Sequence, residues 1–208
     1  MIILLLSQLK NSLNPHLSVD LFIKLSKGVI FMSIEKQEAA YREYIKEHVL
    51  NVNNAYECIK DGLAIHLCCD EDLLERNIRK HDASKYSKEE FTAYRMKFYP
   101  DNNPEEASYT ADAKNKAFEK AWKHHYTVNP HHPEYWIVNG KPIKMVTYAI
   151  AEMYCDWAAM SFKFNNIPSK WYADKMRRDP FNFHPSTKLI VEKNLWLADR
   201  AVELMKNK

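Results

Sequence analysis

The stretch YAIAEMYCDWAAM, residues 148–160, constrains this chain more than any other. It is apolar on almost every side at helical spacing, the mark of a helix surrounded by protein, yet it carries Glu152 and Asp156 four residues apart. At that spacing both carboxylates lie on one face. Like charges there repel, and burying an unpaired carboxylate costs on the order of several kcal/mol, a large fraction of a domain's net stability. The fold must therefore bring something to that face. A buried Lys or Arg, a carboxyl kept protonated by its surroundings, or a metal ion would each meet the need.

The rest of the text is of the same class. Three glycines in 208 residues leave little material for hairpin turns, and the periodicity predicts one all-α domain of about six helices. The first runs from Ser33 to about 60, with Tyr41, Ile45, His48, Val52, Ala55, Tyr56 and Ile59 on one stripe. The second spans 70–82, with Asp70 as N-cap and Leu73, Leu74 and Ile78 buried. Ser87 and Glu90 have capping-box spacing and open a third, through about Phe98. YPDNNPEEASYT, 99–110, reads as an exposed loop. Ala117, Phe118, Ala121, Trp122 and His125 mark a fourth helix that Asn129-Pro130 ends. Pro142 fits the first turn of the fifth, to about Asn165. An irregular stretch, 165–186, leads into a closing helix from about Ser186 to Met205.

Charge and cysteine usage narrow the setting. The net charge is +3, with both signs mixed, so no duplex-binding arm is announced. Cys58, Cys68, Cys69 and Cys155 form no CxxC pair, which suits reduced thiols in a cytoplasm. No apolar run is long enough for a bilayer, and MIILLL lacks the basic region of a signal peptide. Lys27-Gly28-Val29 can be encoded by codons that contain a purine-rich ribosome-binding sequence at a suitable distance before Met32. Residues 1–31 are accordingly expected to be a non-native or disordered extension, with the domain at 32–208.

Four of the nine histidines, His124, His125, His131 and His132, fall in AWKHHYTVNPHHPEYW, 121–136. Such a run is either a metal site or a set of surface imidazoles. Its context favours metal: His48 sits on an apolar stripe, and His81-Asp82 precedes Lys85 by one turn. Imidazole and carboxylate delivered inward by several helices suit Mn, Fe, Co or Zn. His125 lies on the apolar face of its helix and His124 at that face's margin, so either is placed at the centre. Of the second pair, in a turn between prolines, one is expected to face inward, His132.

The order of these residues resembles the HD-domain superfamily of metal-dependent phosphohydrolases. The matching positions are His48 in EHVLNV, His81-Asp82 in HDASK and Asp156 in EMYCDWAAM, with the four clustered histidines between them. The resemblance spans roughly 44–160 and implies an HD-like helical bundle. It implies that His48, His81, Asp82 and Asp156 hold one divalent cation, with Asp82 bridging to a second held by the clustered histidines. HDASK is also similar to the HDxGK of HD-GYP phosphodiesterases, which gives Lys85 a place near the substrate phosphate. Ser84 replaces the glycine and NPHHPEYW stands in place of the GYP loop, so cyclic dinucleotides are not supported as substrate. Taken whole, the chain is similar to an uncharacterised family of phage and bacterial proteins.

The implied function is hydrolysis of a nucleotide or other small phosphoester, with Asp82, Lys85 and Glu152 in catalytic roles. Glu152 either orients a ligand histidine or a water, or makes a plain buried salt bridge. Two other classes fit the same text. One is a di-iron oxygenase of the same fold. The other is a metal-stabilised module binding a protein or single-stranded nucleic acid through WKHHY and KWYADKMRR, where rings stand beside cations.

Overall fold

Helix α1 (Ile34–Leu67) has limits that its end residues explain: Ser33 accepts a hydrogen bond from Lys36 N, and Cys68 turns into left-handed backbone to close the C-terminus on Ala64 O. The structure is a computed structural model that describes residues 33–99 and 109–207. The expectations for the extension 1–31 and for most of the loop 99–110 lie outside the described residues. Within them the chain is all-α, as its periodicity predicts. Besides α1 it has α2 (Glu71–Arg79), α3 (Phe91–Phe98), α4 (Ala111–Val128), α5 (Thr147–Lys163), α6 (Pro168–Arg178), α7 (Pro185–Asn194) and α8 (Trp196–Lys206). Two 3-10 turns, Ala83–Tyr86 and Pro133–Trp136, and a hairpin of β1 (Ile137–Val138) and β2 (Lys141–Pro142) complete it.

Helix α5 is the centre. Every residue from Ala149 to Ser161 is buried, and α1, α8 and α2 pack around it. The stripe on α1 runs as the spacing requires, through Tyr41, Ile45, His48, Val52, Ala55, Tyr56, Ile59 and on to Leu63 and Leu67. Gly62 lets α8 come close: a Cβ there would stand 2.8 Å from Leu197 Cδ2, in the core. Gly62→Val is therefore expected to lower stability by about 1–3 kcal/mol through overpacking, read as a fall in thermal midpoint. An unchanged midpoint would show that Leu197 simply moves aside.

Four local expectations are corrected. Ser87 does not cap a helix with its side chain; its carbonyl accepts from Glu90 N and Phe91 N, α3 starts at Phe91, and Glu90 turns inward. Pro142 lies in β2 instead of a helix. Asn139 and Gly140, both at positive φ (49° and 74°), close the hairpin as a two-residue loop of that kind requires, and α5 starts only at Thr147. Part of 165–186 is helical: Pro168 opens α6, and Asp199 Oδ1 from α8 accepts Ser169 N at 2.8 Å. The closing helix is broken at Leu195. There the Tyr154 hydroxyl donates to Val191 O at 2.9 Å, competing for the carbonyl that an unbroken helix would pair with Leu195 N–H.

All four cysteines are free thiols. Among the described residues no helix is long and apolar enough to cross a membrane.

Candidate metal centre

The site lies where α1, α4, α5 and the turn after α2 meet. His48 projects from the inward stripe of α1, between Ile45 and Val52. Helix α2 stops at Arg79, so Lys80–Asp82 form a turn in which Asp82 takes left-handed backbone, φ 58°. Aspartate is among the few residues besides glycine that enter this region at modest cost, and here the conformation accompanies a fully enclosed carboxylate. The following 3-10 turn buries Lys85, α4 supplies His125, the Pro130–Pro133 turn supplies His131 and His132, and α5 supplies Glu152 and Asp156.

Asp82 is the hub, and its two oxygens face different partners. Oδ2 lies 3.3 Å from His48 Nε2, 3.5 Å from His81 Nε2 and 2.6 Å from Lys85 Nζ. Oδ1 lies 3.2 Å from His125 Nε2 and 3.6 Å from His131 Nε2. Asp156 Oδ1 is 3.3 Å from His48 Nε2 and 3.9 Å from His81 Nε2. Three sets of ligand atoms thus fall within 4.8 Å of one another: His48, His81 and Asp82; His81, His131 and Asp156; and Asp82, His125, His131 and His132.

A second layer of carboxylates orients the rings. Glu152 Oε1 accepts from His81 Nδ1 at 2.9 Å and lies 3.1 Å from His131 Nδ1. Glu90 is shared in the same way: Oε2 accepts from His125 Nδ1 at 2.9 Å and Oε1 from His124 Nδ1 at 2.7 Å. A proton held on Nδ1 leaves the lone pair on Nε2, the nitrogen turned toward Asp82.

Orphaned atoms test the fit to a metal. His81 Nε2, His131 Nε2, His132 Nε2 and Asp82 Oδ1 are buried and make no hydrogen bond of acceptable geometry. Native interiors rarely leave such atoms unmade, and here they are all donors suited to a divalent cation. The buried cluster can hold a metal ion.

The electrostatics agree with this donor set. Burial alone would raise the Asp82 carboxyl, but His81, Lys85 and His125 outweigh it and hold it well below the usual range. Burial likewise opposes ionisation of Glu152 and Asp156; His131 and His81 bring Glu152 to about 2, and His48 brings Asp156 to about 2. Burial, with His131 and His125 beside it, pushes His132 well below its ordinary value and keeps it neutral, the state a ligand needs.

Comparison with family models matches residues 37–196 to a family of unknown function, DUF5662. The chain belongs to that family. The comparisons with curated proteins and with solved structures return no match. The DUF5662 match thus covers every residue of the cluster, from His48 to Asp156, without assigning any of them a role.

Of the residues singled out by sequence, His48, His81, Asp82, His125, His132 and Asp156 converge in this DUF5662 chain, and Lys85 and Glu152 touch them. His124 does not join a ligand set. Its side chain is 33 % exposed and it reaches the cluster only through Glu90. His131, expected to face outward, is buried beside His132 with ring centroids 4.3 Å apart. Strand alternation does not apply there, because His132 N bonds back to Asn129 O in a turn that Trp136 Nε1 ties down by donating to Pro130 O. Glu90 escaped the sequence reading because its spacing from Ser87 is that of a helix cap. Trp122 packs against His125 and His132, at 5.8 and 5.1 Å, and so walls the cluster.

A pH effect follows for the metal-free protein. A folded Glu152 near 2, against an ordinary 4.5, stabilises above the higher value and ceases to as pH falls toward the lower, an effect of about 3 kcal/mol. Urea unfolding of metal-free protein should show that loss between about pH 4.5 and pH 2. Asp156, also brought to about 2, adds its own loss over much the same range, so Glu152→Gln should make the fall smaller without removing it; an equally steep loss in the variant would contradict the assignment.

Proposed function

We propose that this chain is a metal-dependent phosphohydrolase acting on a nucleotide or another small phosphoester. The observation that carries the reading is Lys85, a buried ammonium 2.6 Å from the carboxylate common to two ligand sets. A site built only to hold metal for stability gains nothing from a second cation beside it, since the two charges oppose each other. A site that must receive an anion does gain. The succession of His48, His81-Asp82 and Asp156 on successive parts of the fold is also that of the HD-domain superfamily, which supports the same chemistry.

On this reading there would be two ion positions, one about His48, His81 and Asp82 with Asp156 3.3 Å from His48 Nε2, and one among Asp82, His125, His131 and His132, with Mn, Fe, Co or Zn as the suited metals. A divalent cation lowers the pKa of a water it binds and polarises a phosphoryl oxygen. The chain's own residues do the rest. Asp82 would serve both positions, one oxygen toward each. Glu152 holds the ring of His81 and stands 3.1 Å from His131 Nδ1, and Glu90 holds the ring of His125. Lys85 stays protonated, because burial is outweighed by Asp82, and so offers a fixed positive charge to the phosphoryl oxygens.

The test is ester hydrolysis by protein loaded in turn with each metal, read as phosphate released from nucleoside phosphates and other monoesters and as alcohol released from diesters. Release that Asp82→Ala abolishes is expected; no release from any ester with any metal would sink the reading. The histidine-rich set around Asp82 also suits two irons, and anaerobic iron loading followed by oxygen separates that chemistry. An oxygenase would consume oxygen with its substrate; a phosphohydrolase would not.

A further inference from the structure

One side of the cluster is a wall of tyrosines. Tyr44 stacks on His48 with ring centroids 6.5 Å apart, Tyr41 stacks on Tyr44 at 6.3 Å, and Tyr94 meets His125 edge-on at 5.8 Å. Lys85 reaches the same wall: its Nζ is 6.0 Å from the centre of the Tyr94 ring. Tyr41 and Tyr94 are fully buried, and neither hydroxyl has a hydrogen-bond partner among the described residues.

Such hydroxyls are costly, since a buried donor forfeits the bonds it made to water. Their surroundings offer no relief. The nearby acids are Asp82 and Glu90, the first engaged by Lys85, the second by His124 and His125. Lys85 itself directs one of three N–H groups at Asp82. The corner therefore holds spare donors beside a fixed positive charge.

We infer that Tyr41, Tyr94 and Lys85 form an oxyanion pocket beside the metal centre, and that it takes the terminal phosphoryl group of a phosphomonoester. The inference rests on the phosphohydrolase reading and narrows it. Three independent donors match the three non-bridging oxygens of a monoester, whereas a diester presents two. Fully enclosed hydroxyls are also reached by the end of a molecule more readily than by its middle, and a diester phosphate is never the end of a molecule.

Tyrosine-to-phenylalanine changes test this, because they remove the hydroxyl and keep the ring that packs. Inorganic phosphate and, as the diester probe, dimethyl phosphate are titrated calorimetrically into metal-loaded wild type, Tyr41→Phe and Tyr94→Phe. Wild type should bind phosphate and bind dimethyl phosphate at least about tenfold more weakly; each variant should lose about tenfold for phosphate. Without phosphate, the thermal midpoints of the variants should equal or exceed that of wild type, since the lost hydroxyls have no partner in the free protein. Equal phosphate affinity in all three proteins, equal affinity for the two probes, or lower midpoints in the variants would each overturn the pocket. Asp82-dependent ester hydrolysis, of monoesters or diesters, separates the two claims: if it persists while the titrations fail, only the pocket is lost, and if it is absent, the phosphohydrolase reading is lost.

Discussion

Asp82→Ala is expected to release the bound metal and to lower phosphoester turnover by about a thousandfold or more. Metal chemistry contributes several kcal/mol to such a reaction, and each 1.36 kcal/mol is a factor of ten in rate. The size of the effect follows from position. The two oxygens of Asp82 face different imidazole sets, His48 and His81 on one side and His125 and His131 on the other, so its removal weakens both at once. It also leaves Lys85 buried without its counter-ion, which costs about 3–5 kcal/mol in the metal-free protein. Circular dichroism must therefore accompany the assay, and Asp82→Asn, which keeps the volume, serves as the second variant. Elemental analysis and turnover should fall together in both. Full metal content with either substitution would show that the ions, if any, sit elsewhere.

What the sequence could disclose was whatever is decided locally. The stripe of α1 and the all-round apolar character of α5 follow from a 3.6-residue period, and the two acids on α5 announce a polar centre because burial makes their presence expensive. The residue types of the cluster were legible for the same reason: few side chains can answer buried carboxylates. What depends on distant partners was not legible. The start of α6 is completed by Asp199, thirty residues on, and the break at Leu195 is tied to a hydroxyl on α5. In the site, Glu90 looks like a cap until α4 places two histidines against it, and Tyr41 looks like one more core residue until its hydroxyl is found without a partner. His131 differs from expectation because a turn between prolines does not by itself decide which of two adjacent rings faces inward; here the bond of His132 N to Asn129 O accompanies the burial of both.

Glu90→Ala is expected to separate the two ion positions. Its carboxylate touches His125 and His124 but neither His48 nor His81, so the change frees the His125 ring to rotate while leaving the other position's rings held. Losing such an orienting carboxylate costs roughly 10–100-fold in metal affinity. Competition with a chelator should then show one ion per chain retained at wild-type affinity and the other weakened by that factor. Glu152→Ala gives the contrasting pattern. It holds His81 and stands against His131, and between them these two rings enter all three sets of ligand atoms, so both affinities should fall. Stability must be read beside affinity, because Glu90 is enclosed and its loss leaves a gap next to Ser84 and Asn129, where Asn129 Nδ2 donates to Ser84 Oγ and to His125 O. If Glu90→Ala weakened both positions equally in a folded protein, the two sets of ligands would be a single site, and Asp82 would be a terminal ligand instead of a bridge between two.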